Sequence, residues 1–354
     1  MEEYGCLAFQ VWHYTTSSLG IIFNSILIYL CLFRTPKAIR VYSILMLNFA
    51  ISDLGACIAD IFVGQRVIPF DSKVAFISYG PCKYISGTAC YIGYSVLVHF
   101  YAHTYWSLLL SFVYRYYILF EPAPRRIYLI ILILVVYTPS FVQLVSFSFS
   151  EDDPGLVRQA VHEKFPSYDL ENKTITGILN ITKDFSSLFL ILHCTIPCTP
   201  IYIFILIIRR RIVVELQKIS GKMSPSTRNM HRQLLKALTI QAFLPLFIFL
   251  GAWSYILGQV GIWEHPFLQL FTTTSCSCVQ LLSPLASIYF VRPYKSTVTL
   301  YFYRCCAKVE AGIGYASRVK TIDMPSTNDR SRWYKGTEHN SRAANLNSIH
   351  KSQT

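Results

Sequence analysis

The chain has 354 residues, of which 53% are hydrophobic and only 14% charged, and its mean hydropathy is +0.39. About a quarter of the residues of a soluble domain are charged, so this composition excludes an ordinary soluble protein and indicates an integral membrane protein. The net charge of +13 does not indicate nucleic-acid binding, because it is not spread over a foldable soluble domain. The eleven cysteines lie mostly within apolar runs, without the spacing of a metal site or a disulfide framework.

Seven apolar segments are long enough to cross a bilayer, which needs about 20 residues. The predicted spans are 7–33, 42–64, 88–119, 127–149, 185–208, 234–257 and 267–291. Residues 1–6 form a short outer tail without the basic n-region of a signal peptide. Residues 292–354 are expected to form a cytoplasmic tail, with a short juxtamembrane helix before a polar, disordered end. The longer segments between spans, 65–83 and 150–184, are expected to be loops.

Two signals in the sequence predict the orientation. Lys and Arg concentrate on the side that holds the C-terminal tail, and such residues accumulate on the cytoplasmic side of a membrane protein. Both N-glycosylation sequons, Asn172-Lys173-Thr174 and Asn180-Ile181-Thr182, lie in the 150–184 loop on the opposite side. We therefore predict an all-α membrane protein with a seven-helix bundle, its N-terminus outside, its C-terminus inside, and Asn172 and Asn180 glycosylated.

The third predicted span carries polar residues at every fourth position. They are Ser95, His99, His103, Ser107, Ser111 and Arg115. In a helix this spacing forms one ridge that turns by about 40° per step, and ionisable groups inside a membrane face protein or a cavity rather than lipid. The third span is therefore predicted to be the central helix. His99 and His103 have the spacing of a two-histidine metal site, but no carboxylate lies one turn away, so hydrogen bonds or cavity lining are favoured and no metal is expected.

Three further polar residues lie inside predicted spans. Asn24 is in the first span, and Asp53 and Asp60 lie seven residues apart on one face of the second. The two acids could relay protons or ions, as in a transporter. Asp60 could equally accept hydrogen bonds from hydroxyls of the first or seventh span, and both interpretations stay open.

The sequence lacks the signals expected of a transporter or of a membrane enzyme. A transporter or ligand-gated channel using Asp53 and Asp60 is the alternative function, and transporters often show internal repeats, of which we find none. A membrane enzyme would need a His, Ser and Asp constellation at matched depth, and the pair in HFYAH alone is not one. We therefore expect neither an enzyme nor a bound cofactor.

Short motifs resemble those of rhodopsin-like G-protein-coupled receptors. LNFAISDL resembles the second-helix signature, SFVYRYYIL the end of the third helix, and SPLASIYFV, more loosely, the seventh-helix motif. The resemblance implies that Asp53 is the buried, sodium-linked acid, that Arg115 contacts the G protein, and that Asn24 is the first-helix asparagine. Tyr114 replaces the usual acidic neighbour of Arg115, so the resemblance implies no ionic lock between them.

A closer resemblance covers nearly the whole chain. The segments that carry it are RTPKAIRVYSILMLNFAISDL, YGPCKYISGTACYIGYS, HFYAHTYWSLLLSFVYRYYIL, KALTIQAFLPL and SPLASIYFVRPYK. They resemble the nematode serpentine chemoreceptors, most of all class delta. This implies a receptor for a small environmental or pheromone-like molecule that signals through a heterotrimeric G protein, in the plasma membrane of a sensory-neuron cilium.

The resemblance also bears on the cysteines. Rhodopsin-like receptors usually tie the top of the third helix to a cysteine of the second extracellular loop, but 150–184 contains none. The remaining outer cysteines are Cys6, Cys82 and Cys90, and we predict that Cys82 pairs with Cys90 or with Cys6. Cys305 and Cys306 follow a basic, aromatic stretch and are palmitoylation candidates.

Two groups of residues are predicted functional sites. An outward-opening ligand cavity between the third, fifth, sixth and seventh spans is expected to be lined by Ser95, His99, His103, His193, Trp253, Thr272, Thr273 and Ser275. The alternative is that these groups bond one another across helices, with Trp253 an interfacial anchor. The candidates for G-protein coupling are Tyr114, Arg115, Arg125, Arg126, Arg209, Arg210 and Arg211, although the flanking arginines could serve only to set the topology.

Overall fold

In the computed structural model the described residues are 2–36, 39–220 and 225–312, with described side chains at 5–36, 39–218, 239–301 and 303. The elements in chain order are α1 (Glu2–Phe33), α2 (Tyr42–Val63), β1 (Gln65–Phe70), β2 (Lys73–Ser78), α3 (Gly87–Tyr117), α4 (Arg126–Phe147), α5 (Pro154–Lys164), β3 (Thr174–Ile178), α6 (Phe185–Thr195), α7 (Cys198–Ser220), α8 (Pro225–Gln259), α9 (Pro266–Phe290) and α10 (Arg292–Gly312). The described residues up to 300 form one compact unit, and those from 301 to 312, which are helical, belong to a second.

The described helices include at least one for each predicted span, and the fifth predicted span is divided between α6 and α7. Six of them are long and apolar enough to cross a membrane, and a seventh crossing results when α9 and the start of α10, which meet at a 93° bend, are taken together. The first helix begins earlier than predicted, at Glu2. The predicted helical bundle is therefore confirmed, and the candidate juxtamembrane helix corresponds to α10.

The central position of α3 is also confirmed. In its most apolar stretch 67% of the residues are buried, against 17% in α4. Tyr105, Leu108 and Phe112 of α3 belong to one apolar cluster with residues of α7 and α8. Near the start of the same helix, Tyr91 and Leu97 belong to a second cluster with residues of α2 and the sheet. Neighbours thus surround α3 along its length.

The segments predicted as loops contain a three-stranded antiparallel sheet in the order β1-β2-β3. The strands β1 and β2 form a hairpin in which Phe70 pairs with Lys73, and Asp71, which adopts φ 50°, begins the turn. Six-residue runs rich in Val, Ile and Phe on either side of a short polar turn are typical of a hairpin. The prediction of plain loops was wrong here because it rested on position between spans.

The sheet is buried on both faces, which accounts for its apolar composition. Val74 and Phe76 point toward the bundle and share an apolar cluster with α3. Ala75 and Ile77, on the opposite face, share a cluster with Val157 and other residues of α5. Alternate residues of a strand face opposite sides, so one strand serves two cores. We refer to this end of the bundle as the sheet end.

The fifth span departs from the predicted continuous helix 185–208. It is broken between α6, which ends at Thr195, and α7, which begins at Cys198. Pro197 lies in the break and has no backbone N–H to donate, as expected where a helix is interrupted. At the other end of the span, α7 and α8 extend far beyond the predicted boundaries. The described residues between the fifth and sixth predicted spans, within 209–233, are therefore helical, because Arg, Lys and Gln are good helix formers.

The disulfide connects Cys82 with Cys90, at a Cα separation of 5.0 Å. It ties the short 3-10 turn Pro81–Tyr84 to the first turns of α3. Cys6, the other predicted partner, is a buried free thiol whose Sγ lies 3.4 Å from the Tyr79 hydroxyl. Of the two predicted pairings, the structure contains the local one.

Replacing both Cys82 and Cys90 with Ser should lower the free energy of unfolding by about 2–3 kcal/mol, because the bridge restricts the unfolded chain. Thermal unfolding of the purified receptor in detergent measures the loss. Cys57→Ser, at a buried free thiol, is the matched control and should lower the free energy of unfolding by a smaller amount. Alkylation of Cys82 and Cys90 without prior reduction would contradict the pairing.

Candidate functional site

A cavity of about 100 Å³ lies inside the bundle, below the sheet. Its walls come from α3, α6, α8 and α9, and its roof from Val74, Phe76 and Ile178 of the sheet. None of the described residues that line it is charged or is a histidine. Small-molecule pockets are generally apolar with a few convergent polar groups, and this cavity has that character.

The polar groups of the cavity wall are hydroxyls and thiols. They belong to Tyr94, Tyr101, Tyr105, Tyr255, Thr195, Thr272, Thr273, Cys194 and Cys276. Several already donate within the protein. The Tyr105 hydroxyl donates to the His193 carbonyl at 2.5 Å, and the Thr273 hydroxyl to the Gln65 carbonyl at 3.1 Å. Their oxygens remain able to accept, so the wall suits an uncharged molecule with few polar groups.

The face that α3 turns to the cavity carries Tyr94, Val98, Tyr101 and Tyr105. Their spacing of three or four residues places them on one side of the helix. At Ser95 and His99 the predicted polar ridge lies one residue, or about 100°, further round the helix, and the ridge turns further away at His103. The predicted ridge and the cavity wall are therefore neighbouring faces of the same helix, and the ridge contacts other helices.

The three ridge residues predicted to line the cavity bond elsewhere. His99 donates from Nδ1 to the Ser140 carbonyl at 2.8 Å and accepts at Nε2 from the Tyr137 hydroxyl at 2.9 Å, both in α4. His103 Nε2 lies 3.1 Å from Asn48 Oδ1 in α2. The Ser95 hydroxyl donates to the Tyr91 carbonyl of its own helix at 3.0 Å.

His193, Trp253 and Ser275 are also not among the lining residues. His193 donates from Nδ1 to Gln143 Oε1 at 2.5 Å and accepts at Nε2 from the indole of Trp106 at 3.0 Å. Ser275 donates to the Phe247 carbonyl at 2.7 Å. Trp253 is 42% exposed, on the outer surface of α8. Of the eight predicted residues, only Thr272 and Thr273 line the cavity, because the others point toward neighbouring helices or away from the bundle.

Asp60 is a fully buried acid bonded to the first helix. It accepts from the Ser17 hydroxyl at 2.6 Å and lies 2.7 Å from His13 Nδ1. The contact with the Ser17 hydroxyl is the kind that the structural interpretation of Asp60 predicts. His13 and Ser17 were not recognised from the sequence, although their four-residue spacing places them on one face of α1.

The other two intramembrane polar residues are buried as well. Asn24 donates from Nδ2 to the carbonyls of Gly20, at 2.9 Å, and Gln280, at 3.0 Å, and so joins α1 to α9. The Thr104 hydroxyl of α3 lies 3.4 Å from Asp53 Oδ1. Among the residues that the structure describes, no group of three or more His, Cys, Asp or Glu side chains could hold a metal ion.

At the opposite end of the bundle, Arg115 is held by a tyrosine. Its guanidinium donates to the Tyr42 hydroxyl, and its Cζ lies 5.0 Å from the Tyr42 ring centroid and 5.8 Å from that of Phe112. Tyr114, which replaces the usual acid, stacks on Tyr42 at 6.0 Å. Tyr42 is therefore the partner of Arg115. This end of the bundle is called the arginine end below.

The other predicted arginines of this end differ in burial. Arg209 donates to the Thr239 hydroxyl at 3.0 Å and so links α7 to α8. Arg125, Arg126, Arg210 and Arg211 are exposed. The Cys305 and Cys306 side chains lie outside the described residues, within α10.

Both sequon asparagines lie at the sheet end. Asn172 is exposed and adopts φ 55° just before β3. Asn180 follows β3, and its Oδ1 accepts from the Thr182 hydroxyl at 2.9 Å. Neither asparagine belongs to a membrane-spanning helix.

The family described as "Serpentine type 7TM GPCR chemoreceptor Srd" matches residues 9–300. The chain belongs to this family. Serpentine receptor class delta-18 of Caenorhabditis elegans is 40% identical over 298 residues, which cover 82% of this chain and 87% of that protein. Class delta-19 of the same nematode is 37% identical over 294 residues, covering 82% and 86%. The predicted resemblance to class delta is confirmed.

Squid rhodopsin has a similar fold, with a TM-score of 0.52 over 90% of this chain and 93% of that one, at 14% sequence identity. The chain is therefore a G-protein-coupled chemosensory receptor with a rhodopsin-like helical bundle and an integral membrane protein. Its family is one of receptors and not of enzymes. The alternative of a transporter or channel is not favoured.

His99→Ala should lower the free energy of unfolding by about 1–3 kcal/mol, because both hydrogen bonds to α4 are lost and buried groups are left unpaired. The concentration for half-response, per receptor at the cell surface, should not change. Thermal unfolding and surface-normalised responses measure the two quantities. His162→Ala, at an exposed position of α5, is the control and should change stability by less than about 0.5 kcal/mol. An altered ranking of agonists in His99→Ala would contradict the assignment.

Proposed function

We propose that the cavity below the sheet binds an uncharged, largely apolar small molecule, and that binding is transmitted along α3 to a heterotrimeric G protein at the arginine end. The single observation that carries the first part is the composition of the wall, which contains no charged residue among those described. Burying an ionised ligand there without a partner would be strongly unfavourable. Hydroxyls of Tyr and Thr would orient the molecule.

The path to the arginine end follows one face of α3. Tyr105 lines the cavity, and Leu108 and Phe112 continue along the helix at intervals of three and four residues. Phe112 contacts the guanidinium of Arg115. A change in how α8 packs against this face would therefore reach Arg115 through direct contacts.

The contact between Arg115 and Tyr42 supports the interpretation of this structure as an inactive state of the receptor. In it the guanidinium is bound by a hydroxyl and an aromatic face, both from α2. Cation–π contacts of this kind are modest in strength, so they can be exchanged for contacts with a G protein when α8 moves. Arg209, which bonds α8 through Thr239, would adjust with it.

We also propose that the sheet end faces the outside of the cell. Both sequons lie at that end, and exposed arginines lie at the other. Positive residues favour the cytoplasmic side. The plasma membrane of a sensory-neuron cilium is the location that the family resemblance implies.

Filling the cavity should weaken the response. Ala252→Phe adds a ring to the α8 wall, and we expect at least a tenfold rise in the concentration for half-response. The assay expresses the receptor with a promiscuous G protein and screens volatile and soluble small molecules for a calcium signal. Leu250→Phe, on the exposed face of the same helix, adds bulk outside the cavity and should respond normally. Equal responses of both variants at equal surface amounts would place the ligand elsewhere.

Arg115→Ala should lose agonist-evoked signalling while surface expression is retained, because the guanidinium is the group offered to the G protein. Calcium responses normalised to surface amount provide the measurement. Arg40→Ala removes an exposed arginine just before α2 that is not among the coupling candidates, and this variant should signal at least half as well as the unchanged receptor. An intact response of Arg115→Ala would show that coupling uses other groups.

A further inference from the structure

Gln259, the last residue of α8, joins the wall of the cavity to its roof. The Tyr255 hydroxyl, on the wall, donates to Gln259 Oε1 at 2.7 Å. The Gln259 Nε2 donates to the carbonyls of Asp71, at 2.5 Å, and Lys73, at 3.3 Å. Those carbonyls belong to the turn of the β1–β2 hairpin, whose second strand supplies Val74 to the roof. One side-chain amide thus connects wall and roof.

A second set of contacts holds the same turn from the solvent side. Lys164, at the end of α5, lies 3.1 Å from Asp71 Oδ1 and 3.2 Å from Glu264 Oε1. Hydrogen bonds to these two carboxylates raise the pKa of Lys164 above its ordinary value. The Asp71 side chain is 59% exposed, so water weakens this ion pair. The contacts of Gln259 with the backbone carbonyls involve no ionic charge, and the one to Lys73 is partly buried.

The base of the hairpin is fixed differently from its tip. Gly64, at φ 49°, and Gly80 flank the two strands, and the backbone N–H of Gly80 donates to the Val63 carbonyl at 3.0 Å. The disulfide between Cys82 and Cys90 follows directly. No covalent link among the described residues holds the tip. It is held by the Gln259 bonds, the Lys164 ion pair and the backbone N–H of Ile181, which donates to the Ser72 carbonyl at 2.9 Å, and by the apolar packing of both strands. The base of the hairpin is therefore fixed covalently, and its tip is held by non-covalent contacts alone.

We propose that the β1–β2 hairpin is a lid over the cavity and that Gln259 is the positioning residue that latches it. This inference rests on the proposed function, which makes the cavity the ligand site. Water can replace the Gln259 amide at both carbonyls once the tip is released, so the latch is reversible. A ligand that accepts a hydrogen bond from the Tyr255 hydroxyl would take this donor away from Gln259 Oε1. Occupancy of the cavity and closure of the lid are therefore coupled.

Two free thiols of the cavity wall, Cys194 and Cys276, report opening without any agonist. Intact cells expressing the receptor are treated with 2-(trimethylammonium)ethyl methanethiosulfonate, whose charge keeps it out of lipid. The thiolate attacks the reagent's sulfenyl sulfur, a mixed disulfide forms, methanesulfinate leaves and the thiol proton passes to water. Mass spectrometry gives the rate at Cys276 relative to Cys57, a buried thiol of α2 that does not line the cavity.

Gln259→Leu removes both connections at similar size, and Gln259→Glu keeps an acceptor for Tyr255 while losing the donor to the turn. We expect both to raise the relative rate at Cys276 by about tenfold, since about one to two hydrogen bonds are lost. Lys164→Ala, which removes the exposed ion pairs, should raise it by at most about threefold. A variant that merely unfolds would raise the rates at Cys276 and Cys57 together, which would overturn the lid assignment for Gln259.

The other route into the cavity would be sideways from the bilayer. If the cavity opens to the bilayer in this way, N-ethylmaleimide, which crosses lipid, would label Cys276 quickly in the unchanged receptor. The charged reagent would then label Cys276 at the same low rate in every variant. That result would overturn the proposal. The assay uses neither agonist nor G protein, so a failure of the proposed ligand site leaves its outcome unaffected and is detected separately by the cavity-filling variant.

Discussion

The hydrogen bonds from His99 to α4 are the constraint on which the rest of the bundle depends. Inside a membrane a polar side chain without a partner is costly, and His99 finds both of its partners, the Ser140 carbonyl and the Tyr137 hydroxyl, on one helix. His103 bonds Asn48 of α2 from the same ridge. These contacts fix the rotation of α3 about its own axis. A rotation of α3 by about 100°, the angle of one residue, would direct the ridge to the cavity and leave both histidines without these partners.

Once α3 is fixed in rotation, both ends of the receptor follow. The aromatic face that begins at Tyr94 is directed to the cavity, and the same face, continued through Phe112, meets Arg115. Packing against α7 and α8 along Leu108 and Phe112 is apolar and non-directional. It can therefore rearrange at lower cost than the polar contacts to α2 and α4. The helix thus has a rigid side and an adaptable side, and the adaptable side connects the two ends.

The sequence predicts the features of this structure that depend on residues close together in the chain, and it does not predict those that depend on contacts between distant segments. Apolar length and charge predicted the spans, and the four-residue ridge predicted an interior α3, because both are local patterns. Which of two faces about 100° apart meets the cavity depends on where α4 lies, and no periodicity in α3 records that. The partner of Asp60 was expected among hydroxyls of the first or seventh span; Ser17 fits, but His13 could be identified only once α1 was placed.

The sheet was missed for the same reason. The runs that form β1 and β2 have strand-forming residues, but burial on both faces requires β3 and α5, which come from a segment far along the chain. The absence of a cysteine in 150–184 had been interpreted only as the loss of a disulfide. In the structure that segment is joined to the hairpin by the backbone pairing of β2 with β3, while the disulfide stays local to Cys82 and Cys90. The roof is thus joined covalently to the start of α3 only through the base of the hairpin, and the β3 segment is held to the roof by backbone pairing and by the apolar packing of both faces of the sheet.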